Sequence, residues 1–550
     1  MTSEAGFNLL DEPWIIALSP DGREDAFSII DIFEQAPRLS VIGGEVPTQA
    51  FAITRLLLAY LHRAIEGPAD QAEWARLWNV HELPMDAIRA YADRVRSRFN
   101  LFDDEAPFFQ VSGLRTEKGE TSHPRKLVAD VPDPGRNNLP LFTMRSVANV
   151  AMLSADEAAR WLLHVHAFDP TGTKSGAAGD RKMKDGKGYG SSIGWSGQLG
   201  GVLAEGNDLR ETLLLNLLPW DATNYVRIGG ANDLPPWERD PDTAAWSEDR
   251  PPRGAIDLYA WQTRRVRLVG DRSGVTGVVL ANGDRIQSQN RHGVDPHTAW
   301  CRRKPQSTNR NDDVYIPQTH DPTRSVWRGI GALLPSVSPR SGGKGAQRYL
   351  APGVLKCVSD LVGEGHLPDE YIVKLRALGA KYKAQNTTFA EIIEDTLPMP
   401  LVLLREDHPD AGRTAERAVK DADNAGSCLW WFAEHLAQAA GAEAKSGAVA
   451  NAVEALYSAL EQPYRRWLAQ FGPDRDLAVA EREWQASVRA ACLPIASELI
   501  TAAPTTAWTG RLVNQRLVNV PIAEAWFTAA LRKALPHAFP RRDETTEVAG

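Results

Sequence analysis

The strongest constraint on folding lies in the last third of the chain, where apolar residues recur every three or four positions through four successive segments. Ala422, Ala425, Leu429, Phe432 and Leu436 form one stripe, and Val449, Val453, Leu456, Leu460, Tyr464, Trp467 and Phe471 form a second. Leu477, Ala480, Trp484, Val488, Ala491, Ile495 and Leu499 make a third, and a fourth opens at Asn519-Val-Pro521 and carries Phe527, Ala530 and Ala534. A period near 3.6 places each set on one face of a helix, and a face that apolar must be covered by another. The polar links between segments predict antiparallel neighbours, hence a C-terminal four-helix bundle over 403–550, with Pro463 expected to kink its second helix.

The texture before that is different. Across 1–402 short apolar stretches alternate with turn chemistry such as Val131-Pro-Asp-Pro-Gly135, Leu234-Pro-Pro-Trp237 and Ser338-Pro-Arg-Ser-Gly-Gly343, which predicts a large irregular mixed domain and an α+β chain overall. With 550 residues the chain exceeds what one core usually supports, which agrees with two domains. Thr48 is expected to cap a helix through Phe51 to His62, and Ser154-Ala-Asp-Glu157 reads as a capping box opening a helix through Trp161 and His164. Strands are expected at 264–269 and 275–280.

Charge narrows the function classes. The 62 Lys and Arg against 70 Asp and Glu leave a net charge of -8, which excludes a basic coat and confines any nucleic-acid contact to local patches. Four dispersed cysteines, Cys301, Cys357, Cys428 and Cys492, signal neither a disulfide framework nor a zinc ribbon. The N-terminal residues carry no basic and apolar leader pattern, and no apolar run nears the ~20 residues that span a bilayer. A cytoplasmic chain that does not engage membranes is expected.

Two basic stretches stand out. The 31 residues from Thr171 to Gly201 hold ten glycines, and Lys174, Arg181, Lys182, Lys184 and Lys187 against Asp180 and Asp185 give it +3. Its core, Gly186-Lys-Gly-Tyr-Gly-Ser-Ser-Ile-Gly194, puts a permissive backbone beside cations, which suits close approach to a phosphate or a groove but matches neither standard glycine-rich nucleotide motif. From Asp284 to Arg310, Arg285, Arg291, Arg302, Arg303, Lys304 and Arg310 against Asp284 and Asp295 give +4. Gln287, Gln289, Asn290, His292 and His297 add neutral groups able to read base edges. Lys381-Tyr-Lys-Ala-Gln-Asn386 is a short cationic turn that, on its chemistry alone, reads as an interdomain linker.

Catalytic signals are weak by comparison. His164, His166 and Asp169 have the composition of a metal-dependent hydrolase or nuclease site, but two histidines two apart on a helix point to nearly opposite sides. Most of the seventeen tryptophans are expected in cores. A purely structural assembly protein is a third reading.

Several motifs then converge on a family. Phe7-Asn-Leu-Leu-Asp-Glu-Pro-Trp-Ile15, Phe99-Asn-Leu-Phe-Asp-Asp-Glu-Ala-Pro-Phe-Phe-Gln110, the glycine loop followed by Asp208-Leu-Arg-Glu-Thr-Leu-Leu-Leu-Asn216, and Trp261-Gln262 resemble the CasA family, the large subunit of the type I-E CRISPR Cascade complex. The resemblance implies a non-enzymatic subunit, without cofactor or metal, that reads the protospacer-adjacent motif (PAM) in double-stranded target DNA. It also implies a role in opening the strands for R-loop formation and in recruiting the CRISPR helicase-nuclease. Its implied partners are the crRNA and the backbone, handle-capping and small Cascade subunits.

Three elements carry that role in the family. The PAM-facing glycine loop corresponds to Gly188, Tyr189, Gly190, Ser191 and Ser192, with two serines where other members have glycines. A backbone contact in the information-poor minor groove implies relaxed PAM choice. The strand-separating wedge corresponds to Lys383, Ala384, Gln385 and Asn386. The family's minor-groove lysine has no lysine counterpart here, so its role passes to Arg285 or Arg291. Lys182, Lys184, Lys187, Arg302, Arg303 and Lys304 are further DNA-contact candidates, and Asn137, Asn138 and Phe142 match a loop that meets the crRNA or a neighbouring subunit. Some relatives carry a cysteine cluster where this chain has Val269-Gly-Asp-Arg-Ser-Gly-Val275, so no zinc is expected.

Overall fold

A computed structural model of the chain describes residues 6–129, 150–221, 226–303, 314–337, 349–442 and 447–539. Asn137, Asn138, Phe142, Lys304 and Arg310 therefore lie outside the described residues. The chain forms two compact units, one drawn from Met1–Val326, Ser338–His366 and Val373–Thr396, the other from Trp327–Val337, Leu367–Ile372 and Leu397–Gly550. The second unit thus recruits two short stretches that precede the helical texture in sequence.

The first unit is built around helix α1 (Pro47–Ile65), which is buried on nearly every face from Thr48 to Ala64. A helix apolar all round needs cover on all sides. One neighbour is helix α2 (Ala155–Phe168). Pro47 occupies the first turn, where its missing N–H costs nothing, so α1 starts before the expected cap. Thr48 is consequently inside the helix, and its hydroxyl lies 2.9 Å from Nε2 of His164 instead of capping. Ser154 does take the N-cap position of α2, but its side chain makes no capping bond there. Asp156 bonds the Ser154 side chain and pairs with Arg160, and Glu157 accepts from Trp161 Nε1.

The two most distinctive motifs of the sequence pack against each other. Leu9 N–H donates to the Phe99 carbonyl at 3.0 Å and Leu101 N–H to that of Phe7 at 2.9 Å. Phe99 then joins Tyr60, Phe108 and Trp237 in an aromatic cluster with centroids 5.0–5.8 Å apart. Gln110 accepts from Leu268 N–H and donates to the Leu101 carbonyl, tying this cluster to the strands beyond.

Strand β1 (Gly201–Glu205) follows the glycine-rich loop. Strands β2 (Arg264–Asp271) and β3 (Gly274–Asn282) form the expected antiparallel pair, slightly longer than the sequence indicates. Strand β4 (Ile372–Tyr382) pairs antiparallel with β1 from Gly201↔Leu378 to Glu205↔Lys374, and β5 (Phe389–Pro400) flanks β4 on the other side.

The second unit holds the four long helices: α3 (Asp410–Ala440), α4 (Gly447–Leu468), α5 (Leu477–Thr501) and α6 (Val520–Ala534). Small residues on α3 allow close approach. Trp484 Nε1–H on α5 donates to the Ala418 carbonyl at 2.7 Å, and the Tyr464 hydroxyl on α4 to that of Ala415 at 3.1 Å. Trp327 stacks on Tyr464 with centroids 4.5 Å apart, and Phe432 on α3 stacks on Phe527 of α6 at 4.8 Å. Asn519 caps α6 by accepting from Ile522 N–H, with Pro521 in the first turn. Helix α4 continues through Pro463. Along α5 the most buried stripe runs Ala480, Trp484, Val488, Cys492 and Ala496, and the expected Ile495 and Leu499, partly buried, pack beside it against Ala433, Val449 and Ala452. Trp467 packs against Trp484 with ring centroids 5.4 Å apart, and Cys492 and Ala496 further along are buried.

Among the described residues no helix is long and apolar enough to cross a membrane. The four cysteines are free thiols.

Candidate nucleic-acid interface

The glycine-rich stretch begins where α2 ends. Asp169 follows the last helical residue and is buried with two cations: its Oδ2 lies 2.5 Å from Lys174 Nζ and 2.5 Å from Arg264 Nε. Burial raises the Asp169 pKa, and the two positive charges outweigh it and leave the carboxyl below its usual range. Burial lowers Lys174 to about 8, against the opposing pull of Asp169, and repulsion from the neighbouring Arg264 guanidinium adds to the lowering. Arg264 has further work. Its fork also donates to the carbonyls of Thr263, Asp169, Pro170 and Ser192, at 3.1, 3.2, 3.0 and 2.7 Å. One guanidinium thus holds both ends of the excursion from α2 to the loop.

The loop core sits over β3. Gly188 is buried on a two-residue strand paired with Lys174, and a β-carbon there would meet Asn282 Nδ2 at 3.1 Å. That amide donates to the Tyr189 carbonyl at 3.0 Å, while the Tyr189 ring is about half exposed. Gly190 has φ +70°, which favours glycine, and a side chain there would approach the Arg285 guanidinium to 3.0 Å. Ser191 Oγ–H donates to the Gly172 carbonyl at 2.6 Å. Of the two serines that replace glycines, Ser191 therefore has a local bond to make.

The structure brings Arg285 to this loop, where it stacks on Trp246 at 4.7 Å. Lys182 covers the same indole at 4.0 Å and pairs with Glu248 at 3.3 Å. Arg291 is not brought there: it donates to the Gln287 carbonyl and faces Asp249. Lys184 and Lys187 are exposed on the loop, and Arg303 is exposed at the end of the strand Trp300–Arg303, with Arg302 half-buried before it.

Lys383 to Asn386 form the tip between β4 and β5, inside the first unit, so this turn is a hairpin end and not a linker between the two textures. Ala384, Gln385 and Asn386 are exposed. Gln385 and Asn386 both adopt left-handed backbone, φ +58° and +56°, a conformation that costs a non-glycine residue on the order of 1 kcal/mol or more. What supports it is the segment just before the glycine loop. Thr171 N–H donates to the Asn386 carbonyl at 2.8 Å, and its hydroxyl reaches the carbonyls of Gln385 and Asn386 at 2.6 and 2.8 Å. Glycine loop and hairpin tip are therefore joined through residues 170–172.

Much of the second basic stretch serves the core. His297 is fully buried against Phe51 and Tyr259, Asp295 pairs with buried Arg55 at 3.0 Å, and Asn290 binds Tyr315 N–H. His292 is half-buried beside Trp300 and Tyr315. The reading of His297 as a base-edge reader is corrected accordingly, whereas Gln287, Gln289 and Asn290 are exposed: a summed charge along sequence does not reveal which side chains turn inward. His164 and His166 lie apart in function as well as direction. His164 faces Thr48, His166 Nε2 lies 2.9 Å from the Phe109 carbonyl, and burial lowers both to about 3. Among the described residues no three His, Cys, Asp or Glu side chains are grouped to hold a metal ion.

Comparison with known proteins adds the decisive observation: the sequence profile of the family described as CRISPR-associated protein Cse1 matches residues 8–495. The chain belongs to the Cse1 family. A CasA/Cse1 protein of Thermus thermophilus is 30% identical over 515 residues, covering 90% of this chain and 92% of that one. The crystal structure of Thermobifida fusca Cse1 is similar with a TM-score of 0.89 at 42% identity, covering 97% of this chain and 99% of that one. Cse1 from Acidimicrobium ferrooxidans follows at 0.82 and 32%, covering 98% and 100%. In this Cse1 chain the α+β fold with C-terminal helices matches those structures.

Proposed function

We propose that this Cse1-family protein is the non-enzymatic large subunit of a type I-E Cascade complex that reads the PAM in duplex DNA and starts strand separation. The observation that carries the reading is the junction just described: a glycine loop with exposed cations and a strained, exposed hairpin tip are held together by residues 170–172. The loop offers backbone at Gly188 and Gly190 with Lys184, Lys187 and Arg285 nearby, a combination suited to a minor groove, where width and backbone contacts matter more than base identity. The tip offers Gln385 and Asn386, whose amides can bond bases freed from pairing. Separating a base step costs a few kcal/mol, so such compensation decides whether opening starts.

In this reading guide RNA pairing supplies sequence specificity and drives R-loop formation, and the opened complex recruits the CRISPR helicase-nuclease. The crRNA and the other Cascade subunits supply most of the affinity that a chain of net charge -8 lacks. The setting is the cytoplasm. The hydrolase reading finds no support in the geometry, because His164, His166 and Asp169 each serve a different partner.

The test is Gln385→Ala with Asn386→Ala in the assembled complex. Binding to a PAM duplex is expected to stay within about twofold, while opening slows, followed by a base-analogue fluorophore beside the PAM. Opening at wild-type rate refutes the wedge.

A further inference from the structure

Loop and tip could have been separate features that DNA alone brings into register, but the bonds between them make another arrangement. We propose that Thr171 is a positioning residue that fixes the tip relative to the glycine loop, so that seating the loop on DNA also sets the depth of the tip. The inference rests on the PAM-reading and wedge roles proposed above.

Three observations carry it. Thr171 bonds the two tip residues with left-handed backbone, Gln385 and Asn386, through both its N–H and its hydroxyl, so it supports the strained carbonyl positions themselves. The residues on either side of Thr171 are bound to the loop: the Gly172 carbonyl accepts from Ser191, and the Pro170 carbonyl shares Arg264 with that of Ser192. Finally, the segment borders a cavity of about 290 Å³ lined by Lys126, His164, Lys174, Thr388 and Phe389 among others. Among the described residues that side of the segment is open, so hydrogen bonds to them, more than packing against them, hold the segment. A chain of three residues with fixed attachments at both sides transmits displacement, because each peptide unit is planar and only a few torsions can absorb it.

Thr171→Val tests this in the assembled, guide-loaded complex. The substitution keeps the shape and the backbone N–H and removes only the hydroxyl. Losing one hydrogen bond predicts opening slowed by about two- to tenfold, with affinity for the PAM duplex within about twofold and the melting profile of the full chain unchanged. Thr171→Ser restores the hydroxyl and is expected to restore the rate. Wild-type opening by Thr171→Val overturns the inference, as does an equal loss of affinity and opening rate, or a failure of Thr171→Ser to rescue. The Gln385→Ala with Asn386→Ala variant, run alongside, separates the two levels. If it opens slowly while Thr171→Val is silent, the wedge stands and only the coupling falls. If it opens at wild-type rate, both fall together.

Discussion

Asp169 is the anion shared by two buried cations, and that imbalance predicts an order of stabilities that differs from any count of bonds. The side chains of Arg264, Asp169 and Lys174 are 1%, 8% and 10% exposed. Asp169→Asn leaves two cations facing each other without the carboxylate between them, the costly case for a buried ionic group, about 3–5 kcal/mol. Arg264→Met leaves Lys174 and Asp169 as a balanced pair but strips donors from the Pro170 and Ser192 carbonyls, which suggests about 2–3 kcal/mol. Lys174→Met leaves the Arg264–Asp169 pair intact and removes the group that burial already disfavours as a charge, so about 1 kcal/mol or less is expected. The first unit has roughly 380 residues, and about 2.1 cal/mol/K per residue gives about 0.8 kcal/mol/K at its transition. The corresponding shifts in Tm are about 4–6 °C, about 3 °C and about 1 °C. Calorimetry on the full-length chain reads all three. If Lys174→Met lowers Tm more than Asp169→Asn, the assignment of the shared carboxylate as the limiting charge is refuted.

Acid should weaken the first unit before its carboxylates titrate. His164 and His166 are held to about 3 by burial, below the ordinary value near 6.5, so their contribution is present above about pH 6.5 and is lost as pH falls toward 3, at about 1.4 kcal/mol per pH unit each. His164→Gln keeps a partner for Thr48 and should flatten the pH dependence of urea unfolding between pH 6.5 and 4.5 by about that slope; a curve parallel to wild type would show that His164 is not buried neutral. For the surface, Lys184→Ala with Lys187→Ala should reduce the salt dependence of DNA binding by the complex by about 0.9 in the log-log slope for each phosphate that the variant ceases to neutralise. Arg302→Ala, Arg303→Ala and Lys304→Ala together should flatten it as well. An unaltered slope in either set would assign those cations to solvent or to protein partners.

Legibility in the sequence followed the range of the interactions. Helices α3 to α6 announced themselves because a 3.6 period is a local property, and Asn519-Val-Pro521 marked a start because capping acts within one turn. The paired strands β2 and β3 were readable for the same reason. Local signals failed where a side chain had a distant use, as when the Thr48 hydroxyl turned to His164 instead of to its own helix end. The motifs around Phe7–Ile15 and Phe99–Gln110, which drive the family resemblance, proved to bond to each other and to the core, so they identify the scaffold more directly than the interface.

By itself the sequence determined the two textures, the alanine-lined helices, the family, and the three short segments worth suspecting, because periodicity and motif are written in neighbouring residues. Only the tertiary structure decided that Arg285 and not Arg291 meets the glycine loop, that His297 and Asp295 turn inward, and that Thr171 holds the carbonyls of Gln385 and Asn386. Thr171 and Asn386 are 215 positions apart, and the acceptors are backbone oxygens that every residue possesses. Such a contact leaves no mark in residue type at one of its two ends, so folding alone could place it.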